Sequence, residues 1–365
     1  MTKTNKTRVL VVDDSAFMRK AITMMLESDP EIEVVGTGRD GEDGVRKVKE
    51  LKPDLVTMDV EMPRMDGLSA LRRIMDEEPT PVMMVSSITT EGAKTTLEAL
   101  DLGAVDFIPK ELSFVSLDIV NIKDDLLEKI KNIARRKSIL MARARQRLNW
   151  KKATKSGRQV ASTAVTPLAK KSDRRRFAIK AIALGSSTGG PPALQTVVTR
   201  LPKNLPVPMF IVQHMPPKFT KSLADRLNSL SQVTVSEARN GEEALAGHVY
   251  IAPGDSHMIL TPGATKPIIR LTQSPADTLY KPCVNVMMDS VVKKFGKRTL
   301  GVVLTGMGND GFEACKELHR QGGQVIAQDE DTCVVYGMPR AIVEGEIADI
   351  VAPIERVTDE ILSYF

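Results

Sequence analysis

Cysteine is scarce. The 365 residues hold three, Cys283, Cys315 and Cys333, and they lie far apart. No C-x-x-C pair and no Cys/His cluster occurs, so neither a zinc site nor a redox pair is expected. Free thiols suit a reducing compartment. No apolar run nears the ~18 residues of a membrane span. Met1 to Arg8 is polar and basic, and the apolar stretch behind it, Val9 to Val12, is too short for a signal peptide. A cytoplasmic protein, not inserted in a membrane, is therefore expected. Histidine is also rare, at four residues, so the place of each one carries weight.

Hydrophobic residues make up 42% of the chain, enough for two cores without a disulfide framework. The net charge of +5 is unevenly spread. Residues 135–176 carry fifteen Lys/Arg against one acid, Asp173, so the remainder of the chain is acidic. Helical periodicity persists to about Trp150, after which Lys, Ser, Thr, Gly and Ala follow without an apolar face. The expected division is residues 1–130, a basic linker at 131–176 that is helical at its start, and residues 177–365.

The first part alternates strand and helix five times. Strands are expected at 8–13, 33–36, 55–58, 82–85 and 106–108, with a last helix near Ile119 to Ile139. Five such repeats imply a parallel, doubly wound sheet. Asp13 and Asp14 end its first strand and Asp59 its third, so three carboxylates share one crevice. Two charges 4 Å apart repel by ~4 kcal/mol at an effective dielectric of ~20. A hard divalent cation such as Mg²⁺ suits such oxygen ligands. Ser86 and Lys110 end two further strands, completing a site suited to phosphoryl transfer onto a carboxylate.

From Phe177 a second α/β pattern begins, with strands expected at 179–184, 209–213, 234–238, 249–252, 258–261, 268–271, 300–305, 324–327 and 347–351 and an antiparallel ribbon within 247–272. Gly185 to Gly189 fits G-x-S-x-G between a strand and a helix. By itself this pentapeptide leaves three readings open: a nucleophile at Ser187, a phosphate-binding turn or a tight turn. A nucleophilic serine needs a base. His319 falls in the last turn of a helix, His248 begins a strand, and His257 is expected in a turn after Gly254-Asp255. His214 follows the strand PMFIVQ at the same sheet edge as Ser187. LGVVLTGMGNDGF then supplies Asp310 and glycine-flanked main-chain N–H groups for an oxyanion. The same stretch, Gly306 to Gly311, also matches the dinucleotide-binding G-x-G-x-x-G, with Asp329 near the position of a ribose-binding acid.

Residues 8–125 resemble a response-regulator receiver domain on VVDDSAFMRK, MDVEMPRMDG, VSS and the Lys110 of FIPK. GSSTGGPPAL, VQHMPP, YIAPGDSHM, LTGMGNDG and AQDEDTCVVYGMPRAI resemble the catalytic domain of the CheB family of chemotaxis protein-glutamate methylesterases and glutamine deamidases. The resemblance implies a flavodoxin-like receiver domain followed by a doubly wound α/β methylesterase domain. It implies Asp59 as phospho-acceptor, with Ser86 and Lys110 on the phosphoryl oxygens. Asp13, Asp14, Asp59 and the main-chain carbonyl of Glu61 would hold Mg²⁺, and the esterase site would need no cofactor. Ser187 would be the nucleophile, His214 its base and Asp310 the orienting acid, with the Met307 N–H on the oxyanion and Thr188 beside the nucleophile.

Three positions depart from the family pattern. Glu111 stands where a proline often follows the receiver lysine, Cys283 where the family has serine, and Asn285 where it has aspartate. The resemblance further implies methylated chemoreceptors as protein substrate, a chemotaxis histidine kinase as phosphodonor and a receiver that covers the active site until phosphorylated. A monomer is expected. The reading from a different class, a phospho-switched regulator holding DNA on its basic strap, lacks a helix-turn-helix, and no nucleic-acid partner is expected.

Overall fold

Both halves are built on short aliphatic runs buried on both faces, a pattern that a parallel sheet covered by helices accommodates. The computed structural model describes residues 6–110, 118–142, 178–263 and 266–365, apart from the side chains of 118–122 and 125. Glu111 and residues 143–177, most of the expected linker, lie outside the described residues.

In the first half β1 (Thr7–Val12), α1 (Ala16–Glu27), β2 (Ile32–Gly38), α2 (Gly41–Leu51), β3 (Leu55–Asp59), α3 (Gly67–Glu77), β4 (Val82–Ser86), α4 (Thr90–Leu102), β5 (Asp106–Pro109) and α5 (Asp118–Arg135) follow in turn. The sheet order is β2-β1-β3-β4-β5, all parallel. Four helices start on local signals. Ser15, Asp40, Asp66 and Thr89 each accept a hydrogen bond from the N–H three residues on, contributing ~1 kcal/mol apiece. The helix expected over 119–139 is interrupted at Arg136, and a new helical stretch, α6, runs over 137–142. At this break the Arg136 guanidinium donates to the Glu330 carbonyl of the second half.

The second half comprises β6 (Ala181–Ser186), α7 (Gly190–Val198), β7 (Met209–Gln213), α8 (Phe219–Leu230), β8 (Thr234–Glu237), β9 (His248–Ile251), β10 (His257–Thr261), β11 (Ile268–Thr272), α9 (Val284–Phe295), β12 (Thr299–Val303), α10 (Phe312–Arg320), β13 (Gln324–Gln328), α11 (Met338–Glu344), β14 (Ile350–Ala352) and α12 (Ile354–Leu362). Seven strands form one parallel sheet, in the order β14-β13-β12-β6-β7-β9-β8. The antiparallel ribbon is confined to β10 and β11; β9 belongs to the main sheet. The last strand starts at Ile350 rather than Ile347. The Ile347 N–H instead closes the end of α11 on the Ile342 carbonyl, and its side chain is buried.

Each sheet reverses direction beside its first strand, between β1 and β3 and between β6 and β12. A ligand crevice opens at such a switch point, beyond the carboxyl ends of the strands. The two halves meet through α4, β5 and α5 of the first. Asp101 pairs with Arg226, Lys218 donates to the Ile88 carbonyl, and Met307 and Val335 pack with Leu126, Ile130 and Ile133.

Candidate active site

β6 ends at Ser186, and the next residue is pinned at once. The Ser187 N–H donates to the Thr305 carbonyl at 3.0 Å, and its own carbonyl accepts from the Gly190 N–H at 2.8 Å. The chain then enters α7 with Pro191 and Pro192 in its first turn, where a missing N–H costs nothing. Ser187 and Thr188 are thereby held at a strand–turn–helix corner, 7% and 2% exposed. The Thr188 hydroxyl oxygen is buried without a hydrogen-bond partner. Gly306 closes against this corner. A Cβ there would lie 2.9 Å from the Ser187 Cβ, so only glycine lets the Gly306–Met307 peptide come this near.

His214 leaves the neighbouring strand at the same edge. Its Nε2 donates to Asp310 Oδ2 at 2.8 Å, and its Nδ1 is buried with no hydrogen bond. With the proton on Nε2, Nδ1 carries the free lone pair. Tyr280 stacks on the ring, with centroids 4.2 Å apart and planes 18° apart. Asp310 is anchored beyond the histidine as well. Its oxygens accept from the N–H groups of Val284 at 2.6 Å and Asn285 at 2.9 Å, and from the Cys283 thiol at 3.2 Å. The carboxylate thus caps α9, which has no side-chain cap from its own sequence. Burial pushes the Asp310 carboxyl up, but His214 and the two N–H donors outweigh it and hold the group below its ordinary value. Burial and the adjacent Asp310 push the Cys283 thiol up to about 12.

Cys283 and Asn285, two of the three positions that depart from the family pattern, both lie in this anchor. Its strongest members are backbone N–H groups, which no side-chain replacement removes. Asn285 is used elsewhere, accepting from the Ala314 N–H at the start of α10.

Ser187, Thr188 and His214 line a cleft of about 250 Å³ that Phe107, Pro109 and Lys129 of the first half close from the other side. The first half therefore lies over the mouth of the site.

At the other switch point Asp13, Asp14 and Asp59 bring carboxylate oxygens within 4.8 Å of one another. Lys110 Nζ lies 2.6 Å from Asp59 and 3.6 Å from Asp13. Burial and the Asp13 charge push Asp59 up to about 6, although Lys110 pulls it down. Asp13 is raised too, chiefly by burial. Crowded carboxylates that one lysine cannot offset fit a hard divalent cation. The Glu61 N–H donates to Asp59 Oδ1 at 3.2 Å, which sets Glu61 at the rim. The Ser86 hydroxyl donates to the Gly92 carbonyl in α4 at 3.2 Å.

His248 and His257 are otherwise engaged. His248 bonds the Ser236 hydroxyl. His257 does not sit in a turn: it starts β10, fully buried, with its ring nitrogens on the Pro275 carbonyl and the Cys283 N–H. In the Gly306–Gly311 turn Asp310 faces His214, and Asp329 accepts from Thr332 in its own loop, an arrangement unlike a dinucleotide cradle. Tyr280 had no sequence signal, because an irregular segment delivers it.

Comparison with known proteins bears on both halves. Residues 182–361 match the family described as CheB methylesterase, and residues 9–119 the response regulator receiver domain. A protein-glutamate methylesterase/protein-glutamine glutaminase 2 of Nitratidesulfovibrio vulgaris is 49% identical over 360 residues, covering 97% of this chain and 98% of that protein. A protein-glutamate methylesterase/protein-glutamine glutaminase of Pyrococcus abyssi is 44% identical over 359 residues, 98% of this chain and 93% of that one. The crystal structure of the Thermotoga maritima CheB methylesterase catalytic domain superposes with a TM-score of 0.50 at 43% identity, covering 52% of this chain and all of that domain.

Proposed function

Because this chain belongs to the CheB methylesterase family and carries a receiver domain, we propose that it hydrolyses glutamate methyl esters on chemoreceptors and deamidates receptor glutamines during chemotaxis adaptation. The observation that carries the residue assignment is the 2.8 Å bond from His214 to Asp310 in a cleft shared with Ser187. His214 Nδ1 takes the proton as Ser187 Oγ attacks the ester carbonyl carbon, and Asp310 stabilises the imidazolium. The oxyanion faces the Met307 N–H. The carbon–methoxy bond then breaks, and His214 returns the proton to the departing methanol. Water attacks the acyl-enzyme by the same proton route, freeing glutamate and Ser187. With a glutamine substrate, ammonia leaves instead.

Asp59 accepts the phosphoryl group from a chemotaxis histidine kinase. Asp13, Asp14 and Asp59, with the Glu61 carbonyl, would hold Mg²⁺, which would offset the charge of the carboxylates and phosphoryl oxygens. Lys110 is already on Asp59 to neutralise one oxygen, and the Ser86 hydroxyl must redirect its proton from Gly92 to bind another. The added charge shifts the interface over the cleft and uncovers Ser187. Among the described residues no helix is long and apolar enough to cross a membrane.

The test is methanol release from methylated receptor, with and without a small-molecule phosphodonor. Release should rise with the donor, stay low in Asp59→Asn and vanish in Ser187→Ala. Undiminished release from Ser187→Ala rules out the serine route.

A further inference from the structure

Gln213 ends β7 one residue before His214 and is 2% exposed. A buried amide has two donors and an acceptor to satisfy, and all three are engaged here. Oε1 accepts from Ser186 Oγ at 2.7 Å, while Nε2 donates to the Ser187 carbonyl at 2.8 Å and the His214 carbonyl at 3.2 Å.

These partners straddle two strand ends. Ser186 is the register partner of Gln213, and the His214 N–H donates to the Ser186 carbonyl at 3.1 Å. Past that bond the chains part, one into α7 and the other into Met215-Pro216-Pro217. One planar amide spans the gap that the sheet no longer bridges. Gly190 is an independent sign of the same arrangement. A Cβ there would lie 1.8 Å from Gln213 Oε1, so the start of α7 is packed directly onto the amide. Ser187, Thr188 and His214 line the cleft, and Gln213 lies behind them.

We propose that Gln213 is a positioning residue that fixes the separation of Ser187 and His214 by tying their carbonyls to one amide. The inference rests on those two residues being nucleophile and base. Proton transfer requires Oγ and Nδ1 to come within roughly 2.6–3.2 Å, and a misplacement of ~1 Å costs about 100-fold in rate.

Gln213→Glu preserves shape and the Oε1 acceptor but replaces the doubly donating nitrogen with oxygen. Ser186→Ala leaves the nitrogen in place and releases only Oε1. In the full-length chain activated by a small-molecule phosphodonor, Gln213→Glu should lower kcat for methanol release about 100-fold with KM within ~2-fold. Covalent labelling of Ser187 by a fluorophosphonate should slow in parallel. Ser186→Ala should lose about 3–10-fold in both. Phosphate uptake at Asp59 should be unchanged in both variants, which a general loss of folding would not allow. A Gln213→Glu protein with wild-type kcat and labelling overturns the proposal. If that variant does not fold, Ser186→Ala decides, and wild-type labelling there overturns it equally. Ser187→Ala separates the two levels. If it remains active, the nucleophile assignment fails and the positioning role with it; if it is dead while Gln213→Glu is fully active, only the positioning role fails.

Discussion

Phe107 of β5 and Phe219 at the start of α8 stack face to face across the two halves, ring centres 4.5 Å apart and planes 6° apart. Phe107 lies three residues before Lys110, which holds Asp59, and Phe219 lies five residues after His214. The contact thus joins the phosphorylation pocket to the esterase cleft along two short stretches of chain. Such a stack contributes roughly 0.5–1.5 kcal/mol beyond its buried area, enough to bias two domain arrangements without locking either.

The Asp101–Arg226 pair joins α4 to α8 across the two halves and is only partly buried. A pair of this kind contributes about 0.5–1 kcal/mol, or roughly 2–5-fold in an opening equilibrium. Asp101→Ala should therefore raise methanol release from the unphosphorylated chain about 2–5-fold and leave the phosphorylated rate nearly unchanged. An unaltered basal rate would show that this pair does not hold the cleft closed.

Asp310→Asn should act twice. Loss of the carboxylate that orients His214 should lower kcat by roughly 10³–10⁴. Loss of the charged cap on α9 should lower unfolding stability by about 1–3 kcal/mol at pH 7. Because the Asp310 carboxyl is held below its ordinary range, that stabilisation is present above about pH 4 and is lost as pH falls through the folded value. Urea unfolding of the two proteins should differ at pH 7 and converge in acid; an equal gap at both pH values would contradict the cap.

Burial pushes the thiols of Cys283 and Cys315 up to about 12, so both stay protonated at pH 8. Cys333 is buried as well. The native chain should react negligibly with a thiol-specific disulfide reagent at pH 8, and three thiols should titrate after denaturation. A rapidly reacting thiol in the native protein would be inconsistent with this packing.

Asp59, pushed up to about 6, favours folding in its neutral form; that contribution is present below about pH 4 and lost as pH rises through 6. Mg²⁺ should restore what is lost. The rise in Tm on adding Mg²⁺ should be larger at pH 8 than at pH 5 and should shrink in Asp13→Asn. Chelation should stop phosphate uptake. A Mg²⁺ effect independent of pH and of Asp13 would place the ion elsewhere.

The first half was legible because its signals are local. Each strand is a short aliphatic run, four helices begin on a capping side chain three residues from its target, and strand-end acids meet wherever parallel strands share an edge. The second half was legible in its strand order of chemistry, serine, histidine and aspartate each following a strand. Its irregular parts were not. The segment 273–282, to which no strand or helix was assigned from sequence, lays Tyr280 on His214.

Sequence by itself determined which residue types stand at which strand ends, because continuous aliphatic runs and 3.6-residue periods mark where strands stop and helices start. Only the tertiary structure decided what those residues do for one another. Asp310 caps a helix that begins 26 residues before it, Gln213 ties together carbonyls 27 residues apart, and Phe107 reaches α8 of the other half. Such bonds form because buried polar groups must find partners wherever packing brings them, and packing is settled by the whole chain.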